Sequence, residues 1–345
     1  MQNVLIVGSG AVGSAYGWLC LRGGAKVTYL IKPKHKDQVE KGIQLYLHPK
    51  LKGQSAESIF FKEYEWIDNI EKIKNSDFDT VIITVASHSL SDGDWLKKLL
   101  KQLSQDTIIL SLQPGAKDEF IIRNASESPD KLKLITGSIP IMSYWAPLPG
   151  EAFEKPGIAF WIPPLSRQKL DTKNHWTEAQ NLAHFFNKAG LPTAVEQNFK
   201  QNQLGLETAL CVLIAGLSKW DWSLDKLCQS QNLSLCADAI DEALDAQAKE
   251  LKLDKPQGGL KHRIFAQAWV LKLLMRFLDK VTPFDLESFL RVHFTKVETQ
   301  MSEGMQNLIE TCKKQRVLST SLSLVSGRLK KLSEHKGSPS TALIP

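Results

Sequence analysis

The apolar positions of this chain follow one regime up to about residue 196 and another beyond it. In the first, short apolar runs of strand length alternate with amphipathic stretches. Val4-Leu5-Ile6-Val7, residues 79–85 and residues 107–112 are nearly unbroken apolar runs, and a strand covered on both faces needs no polar alternation. Residues 26–31, 42–47, 58–61, 132–139 and 157–162 read as further strands, with an aromatic loop at 143–147. Residues 94–103 and 176–189 carry helical spacing, the latter stopped by Gly190. Strands alternating with helices predict an α/β domain, a Rossmann-type doubly wound parallel sheet over residues 1–196 with ligands at the carboxyl ends of its strands. The second regime is helical spacing alone, at 202–217, 236–251, 262–278, 284–313 and 318–332. It predicts an all-α C-terminal domain over 197–332, for substrate and dimerisation, and a polar, disordered tail over 333–345.

The first strand runs into Gly8-Ser9-Gly10-Ala11-Val12-Gly13, and small residues then open a helix. In a strand–turn–helix setting each glycine has a purpose. Gly8 makes the tight turn, Gly10 lets the backbone approach a pyrophosphate, and Gly13 allows close packing of helix on strand. The helix N-terminus adds unpaired N–H groups for phosphates. After the second strand come Lys32, Lys34, His35 and Lys36, with no acid before Asp37. A carboxylate there would accept the 2′-hydroxyl of NAD, and a cation accommodates the 2′-phosphate of NADP. NADP(H) is therefore the expected cofactor, with Lys32 at its phosphate. The loops after two later strands, with Ser87 and Gln113, belong at the same cofactor; His88 is a contact or a solvated spacer.

Composition removes several classes. With 43% apolar and 23% charged residues and no apolar run of membrane-spanning length, the chain reads as a soluble globular protein with no membrane partner. A strand beginning at residue 3 or 4 leaves no room for a secretory signal, so a cytoplasmic location is expected. Five cysteines without Cys-x-x-Cys spacing read as reduced thiols, neither a disulfide frame nor a zinc site, and no metal is expected. A net charge of +6 suits an anionic cofactor and a small-molecule substrate, and is too small and scattered for nucleic acid.

These motifs together resemble the ketopantoate reductase (2-dehydropantoate 2-reductase) family over roughly residues 3–332. The likeness rests on the glycine loop, Lys32, Thr84-Val85-Ala86-Ser87-His88, Leu112-Gln113-Pro114-Gly115, Gly137 and the helix after Asn202. It implies reduction of a 2-oxo acid by NADPH, with the substrate held between the two domains, and leaves a homodimer open. The departures from the family pattern are as informative. Ala86 stands where a lysine is usual, and Pro114 replaces the asparagine of a Gln-Asn-Gly loop. Gln203, Glu207 and Cys211 occupy the stripe of a catalytic lysine and two asparagines. Gln300 stands for a late glutamate, with Ser288 kept twelve residues earlier.

Hydride transfer to a 2-oxo acid needs a proton donor for the developing alkoxide and a polar cradle for the carboxylate. Gln203 donates hydrogen bonds but delivers no proton. Glu207, among apolar neighbours, is a candidate acid if desolvated, or a solvent-facing carboxylate. His293 and Lys296 share a helix side with Gln300 beyond. They are candidate catalytic groups, or a packing histidine and a snorkelling lysine. Gln203, Ser288 and Gln300 are candidate substrate contacts. The reading is an NADPH-dependent reductase with a diverged site; the alternative is a catalytically silent NADP(H)-binding sensor or regulator.

Overall fold

The computed structural model describes residues 2–50, 52–73, 78–113, 117–171, 173–252, 263–296 and 298–335; the side chains of residues 296, 298–300 and 328–335 lie outside that description. The chain divides into two compact units, Met1–Phe199 and Lys200–Pro345.

The first unit is built on a six-stranded parallel sheet. Its strands are β1 (Asn3–Val7), β2 (Lys26–Leu30), β5 (Glu65–Ile67), β6 (Thr80–Ile83), β7 (Ile108–Ser111) and β8 (Leu134–Thr136). They lie in the order β5-β2-β1-β6-β7-β8, every pair parallel. The run Val4–Val7 is apolar throughout because both faces of β1 are covered. Val4 and Ile6 join a cluster with Ala15, Leu19 and Phe186 on one side. Leu5 and Val7 join Val81, Ile83, Leu96 and Ile122 on the other. Helix α1 (Ala11–Arg22) covers the first face; α3 (Trp95–Gln102) and α4 (Asp118–Ala125) contribute to the second. This is the doubly wound arrangement that the alternation of elements predicted.

Two smaller sheets complete the unit. β3 (Ile43–Leu47), β4 (Glu57–Phe61), β9 (Met142–Ala146) and β10 (Gly157–Trp161) form a second sheet in the order β4-β3-β10-β9. The expected aromatic loop at 143–147 is thus corrected: residues 142–146 are a strand, paired antiparallel with β10 from Met142↔Trp161 to Ala146↔Gly157. Aromatic residues favour a half-covered pleated strand, and Tyr144 goes in while Trp145 goes out. β11 (Gln168–Asp171) and β12 (Thr193–Glu196) pair in parallel as a third sheet. All of this closes over α1, where Trp18 packs edge-on against Phe160 (5.5 Å) and Tyr16 against Phe186 (5.8 Å).

A buried polar chain ties the second sheet together. His48 Nε2 lies 2.7 Å from the Tyr144 hydroxyl, which donates to Glu151; Glu151 also accepts the Leu148 N–H at 2.7 Å. Burial lowers His48 from its ordinary 6.5 to about 4. Below pH 6.5 the unfolded chain therefore takes up a proton that the folded chain refuses. Stability present above that pH is lost as pH falls toward 4, by at most about 1.4 kcal/mol per pH unit. Urea unfolding from pH 7 to 4 is expected to show this slope, and to show it reduced in His48→Gln.

The second unit is helical where described. Its helices are α6 (Phe199–Lys219), α7 (Leu224–Leu227), α8 (Ser230–Glu250), α9 (Ala268–Val281), α10 (Leu286–Lys296), α11 (Glu298–Lys314) and α12 (Thr320–His335). Leu233, Ile240, Ala243 and Leu244 of α8 are buried, as are Leu308 and Ile309 of α11 and Leu322 and Val325 of α12. The Glu242 carboxylate accepts the N–H groups of Ser321 and Leu322, capping α12. Of the tail expected over 333–345, residues 333–335 end α12 and the rest lies outside the described residues. Among the described residues no helix is long and apolar enough to cross a membrane.

Candidate dinucleotide site

The turn from β1 into α1 has the geometry that its glycines call for. Gly8 adopts φ +102°, a left-handed backbone that a side chain would strain. Its N–H donates to the Leu30 carbonyl at 3.0 Å, drawing the turn onto the end of β2. Gly13 sits where a Cβ would lie 2.0 Å from the Gly8 carbonyl oxygen and 2.7 Å from Thr84 Oγ1. Only hydrogen fits there. A Cβ on Gly10, in contrast, would meet nothing within 4 Å. Gly10 is also the N-cap of α1, with no side-chain cap and no acid in the first turn. The early N–H groups of α1 are thus offered at an open surface, which is what a pyrophosphate requires. Ser14 Oγ donates to the Ser9 carbonyl at 3.0 Å and holds that side of the turn.

The flanking loops come from the carboxyl ends of β6 and β7. Thr84 Oγ1 donates to the carbonyls of Val7 (2.9 Å) and Gly8 (3.2 Å), fixing the glycine turn from the β6 side. Ser87 Oγ donates to the buried Asp118 carboxylate at 2.6 Å. His88 is exposed. Gln113 is buried, and its amide is already committed: Nε2 donates to the carbonyls of Ile83 (2.9 Å) and Val85 (2.8 Å), while Oε1 accepts from Ser111 Oγ (2.7 Å). It acts as a clasp between the ends of β6 and β7. Pro114 and Gly115 lie outside the described residues.

Lys32 stands exposed just past β2, its Nζ 3.5 Å from the exposed Asp92 carboxylate. His35 nearby is held below its ordinary value, by partial burial first and then by the Lys34 and Lys32 charges. The structure gathers the glycine turn, Lys32, Ser87 and Gln113 at the carboxyl ends of β1, β2, β6 and β7. Sequence reasoning missed the supports beneath them. Thr84 was visible as the first polar residue after an apolar run, whereas Asp92 and Asp118 carry no local signal.

In the helical unit, the spacing of Gln203, Glu207 and Cys211 on α6 places them on one helix face. Glu207 is exposed, yet desolvation by the protein around it raises its carboxyl above the ordinary glutamate value. Cys211 is half-buried against Gly304 of α11, and burial pushes its thiol up to about 12, so it is packing. His293 is stacked on Phe289 (5.3 Å) and meets Phe294 edge-on (4.9 Å), an aromatic packing environment. Ser288 lies in the first turn of α10, its N–H donating to Asp285 Oδ1 at 2.6 Å. The side chains of Lys296 and Gln300 lie outside the described residues. Among the described residues no group of three or more His, Cys, Asp or Glu side chains is placed to hold a metal ion.

Residues 4–147 match the family model described as Ketopantoate reductase PanE/ApbA. Over this segment the chain is similar to the ketopantoate reductase family. No curated protein matches the chain. Among solved structures, 2-dehydropantoate 2-reductase from Methylococcus capsulatus is 18% identical with a TM-score of 0.65, covering 98% of this chain and 99% of its own. Dimeric ketopantoate reductase from Staphylococcus aureus is 11% identical with a TM-score of 0.62, covering 97% and 100%. D-mandelate dehydrogenase, in a ternary structure with NADH and anilino(oxo)acetate, is 15% identical with a TM-score of 0.63, covering 97% and 99%. At these identities the likeness is one of fold, and it extends the ketopantoate reductase architecture over the helical unit as well.

Proposed function

We propose that the protein is an NADPH-dependent reductase of a 2-oxo acid or a related ketone, with a catalytic helix that departs from the ketopantoate reductase pattern. The observation that carries the reading is the open, uncapped and acid-free N-terminus of α1 beside Gly10. Backbone N–H groups of residues 9–13 would hold the pyrophosphate, and Lys32 the 2′-phosphate, with Ser87 flanking. When bound, the nicotinamide supplies a hydride.

This chain's own residues must then orient the substrate and deliver a proton. Glu207 is the assigned donor, because its raised carboxyl keeps a proton to higher pH than an ordinary glutamate. Gln203, one turn earlier on the same face, offers an amide N–H to a substrate oxygen, and the Ser288 hydroxyl is a second such donor. Lys296 and Gln300 remain assigned by sequence alone. The exposed apolar row Trp269, Leu273 and Phe277 on α9 is compatible with a homodimer, which mass by light scattering checks.

The test is a fluorescence titration with NADPH, followed by NADPH oxidation over a panel of 2-oxo acids and opine-type ketones. Glu207→Gln is expected to lower kcat by about 100-fold or more while leaving cofactor affinity unchanged. Tight NADPH binding without turnover on any ketone would favour the silent sensor. The aromatic packing of His293 and the inert Cys211 speak for that second reading.

A further inference from the structure

The sheet order β2-β1-β6 puts the ends of β2 and β6 on either side of β1, whose own end is the glycine turn. Lys32 follows β2. Asp92 caps the 3-10 turn Ser87–Ser91 that follows β6. Their ion pair, 3.5 Å from Nζ to Oδ2, therefore joins the two segments that flank the glycine turn. A ribose 2′-phosphate must take Lys32 from a carboxylate already beside it, and that carboxylate repels the incoming dianion. A bare 2′-hydroxyl meets no such competition.

We propose that Asp92 is a specificity-determining residue: by occupying Lys32 it holds down the preference for NADPH over NADH. The inference rests on the dinucleotide reading above and deepens it. Asp92 is placed to yield as well as to compete. Its N–H reaches the Ser89 carbonyl at only 3.4 Å, and the following Gly93, at φ +79°, donates to Ser91 at 3.2 Å. The exposed Asp92 side chain is free to rotate away from Lys32 when phosphate arrives. Both side chains are exposed, so the pair contributes little to folding.

Titration of the full-length protein with NADPH and NADH, read by nicotinamide fluorescence, tests this. Asp92→Asn is expected to raise the ratio of NADPH to NADH affinity about fivefold, the order of effect of one exposed charge at this distance. Lys32→Met is expected to collapse the ratio and to abolish the effect of Asp92→Asn in the double variant. An unchanged ratio in Asp92→Asn, with wild type binding NADPH, overturns the proposal and leaves the cofactor reading standing. Persistence of the Asp92→Asn effect without Lys32 also overturns it. Binding of neither nucleotide by wild type overturns the cofactor reading itself.

Discussion

Gly13→Ala is expected to cost the N-terminal unit about 3 kcal/mol and to abolish nucleotide binding. The added methyl would sit 2.0 Å from a backbone oxygen, that of Gly8, and no side-chain rotation relieves it. Either α1 lifts from the turn or the turn opens, and forced overpacking of this kind costs about 1–3 kcal/mol, occasionally more. For a unit of this size the melting temperature would drop by roughly 10 °C. Gly10→Ala is the control. At φ −71° and ψ −172° alanine fits the backbone, and its methyl meets nothing in the protein. Its melting temperature should stay near wild type while, on the proposed reading, nucleotide affinity falls at least about tenfold, because the methyl would occupy the approach of a pyrophosphate. Equal losses of stability in the two variants would remove the steric account of the turn.

The second large effect concerns the Gln113 clasp. Gln113→Glu preserves shape and inverts hydrogen-bonding capacity, turning two donated bonds into carboxylate oxygens facing the carbonyls of Ile83 and Val85. An unpaired buried charge beside two acceptors costs about 3 kcal/mol or more. Such a carboxyl prefers its neutral form, so its folded pKa lies above the unfolded value. The variant's deficit is then largest at pH 8 and shrinks as pH falls toward 5, where the introduced carboxyl, once protonated, donates to one carbonyl. Urea unfolding at both pH values measures it. Wild-type stability at pH 8 would mean that the clasp carries no load. Nucleotide affinity should fall with stability, since the ends of β6 and β7 set the loops around the turn.

The parallel sheet and the glycine turn were legible because both are local signals. Val4–Val7 and Val81–Ile83 are apolar on both faces, and Gly8, Gly10 and Gly13 are spaced by the turn itself. The second sheet was less legible because its central pairing joins β3 to β10 across more than a hundred residues. Residues 142–146, with a serine, a tyrosine and a tryptophan, lack the alternation that marks a strand until β10 supplies the partner. The same distance limit governs the site. Lys32 was readable from its place after β2, but its partner Asp92 depends on the strand order. Gln113 was assigned to the ligand from its loop position, while its amide is spent on Ile83 and Val85, contacts that no spacing rule reveals. In the helical unit, spacing put Glu207 on a face with Gln203; the structure leaves Glu207 exposed, while desolvation by the protein around it raises its carboxyl above the ordinary value.

The way α1 is covered bears on how the chain is made. Tyr16 accepts a hydrogen bond from Gln168, 152 residues later, and Trp18 waits for Phe160. At ribosomal rates of about 5–20 residues per second, these two side chains of α1 go uncovered for roughly 7–30 s after they emerge. Residues 4–147, the part matched to the family, end between β9 and β10, before those partners exist. The nascent protein must keep an aromatic helix face from premature association until the last strands of its first unit arrive.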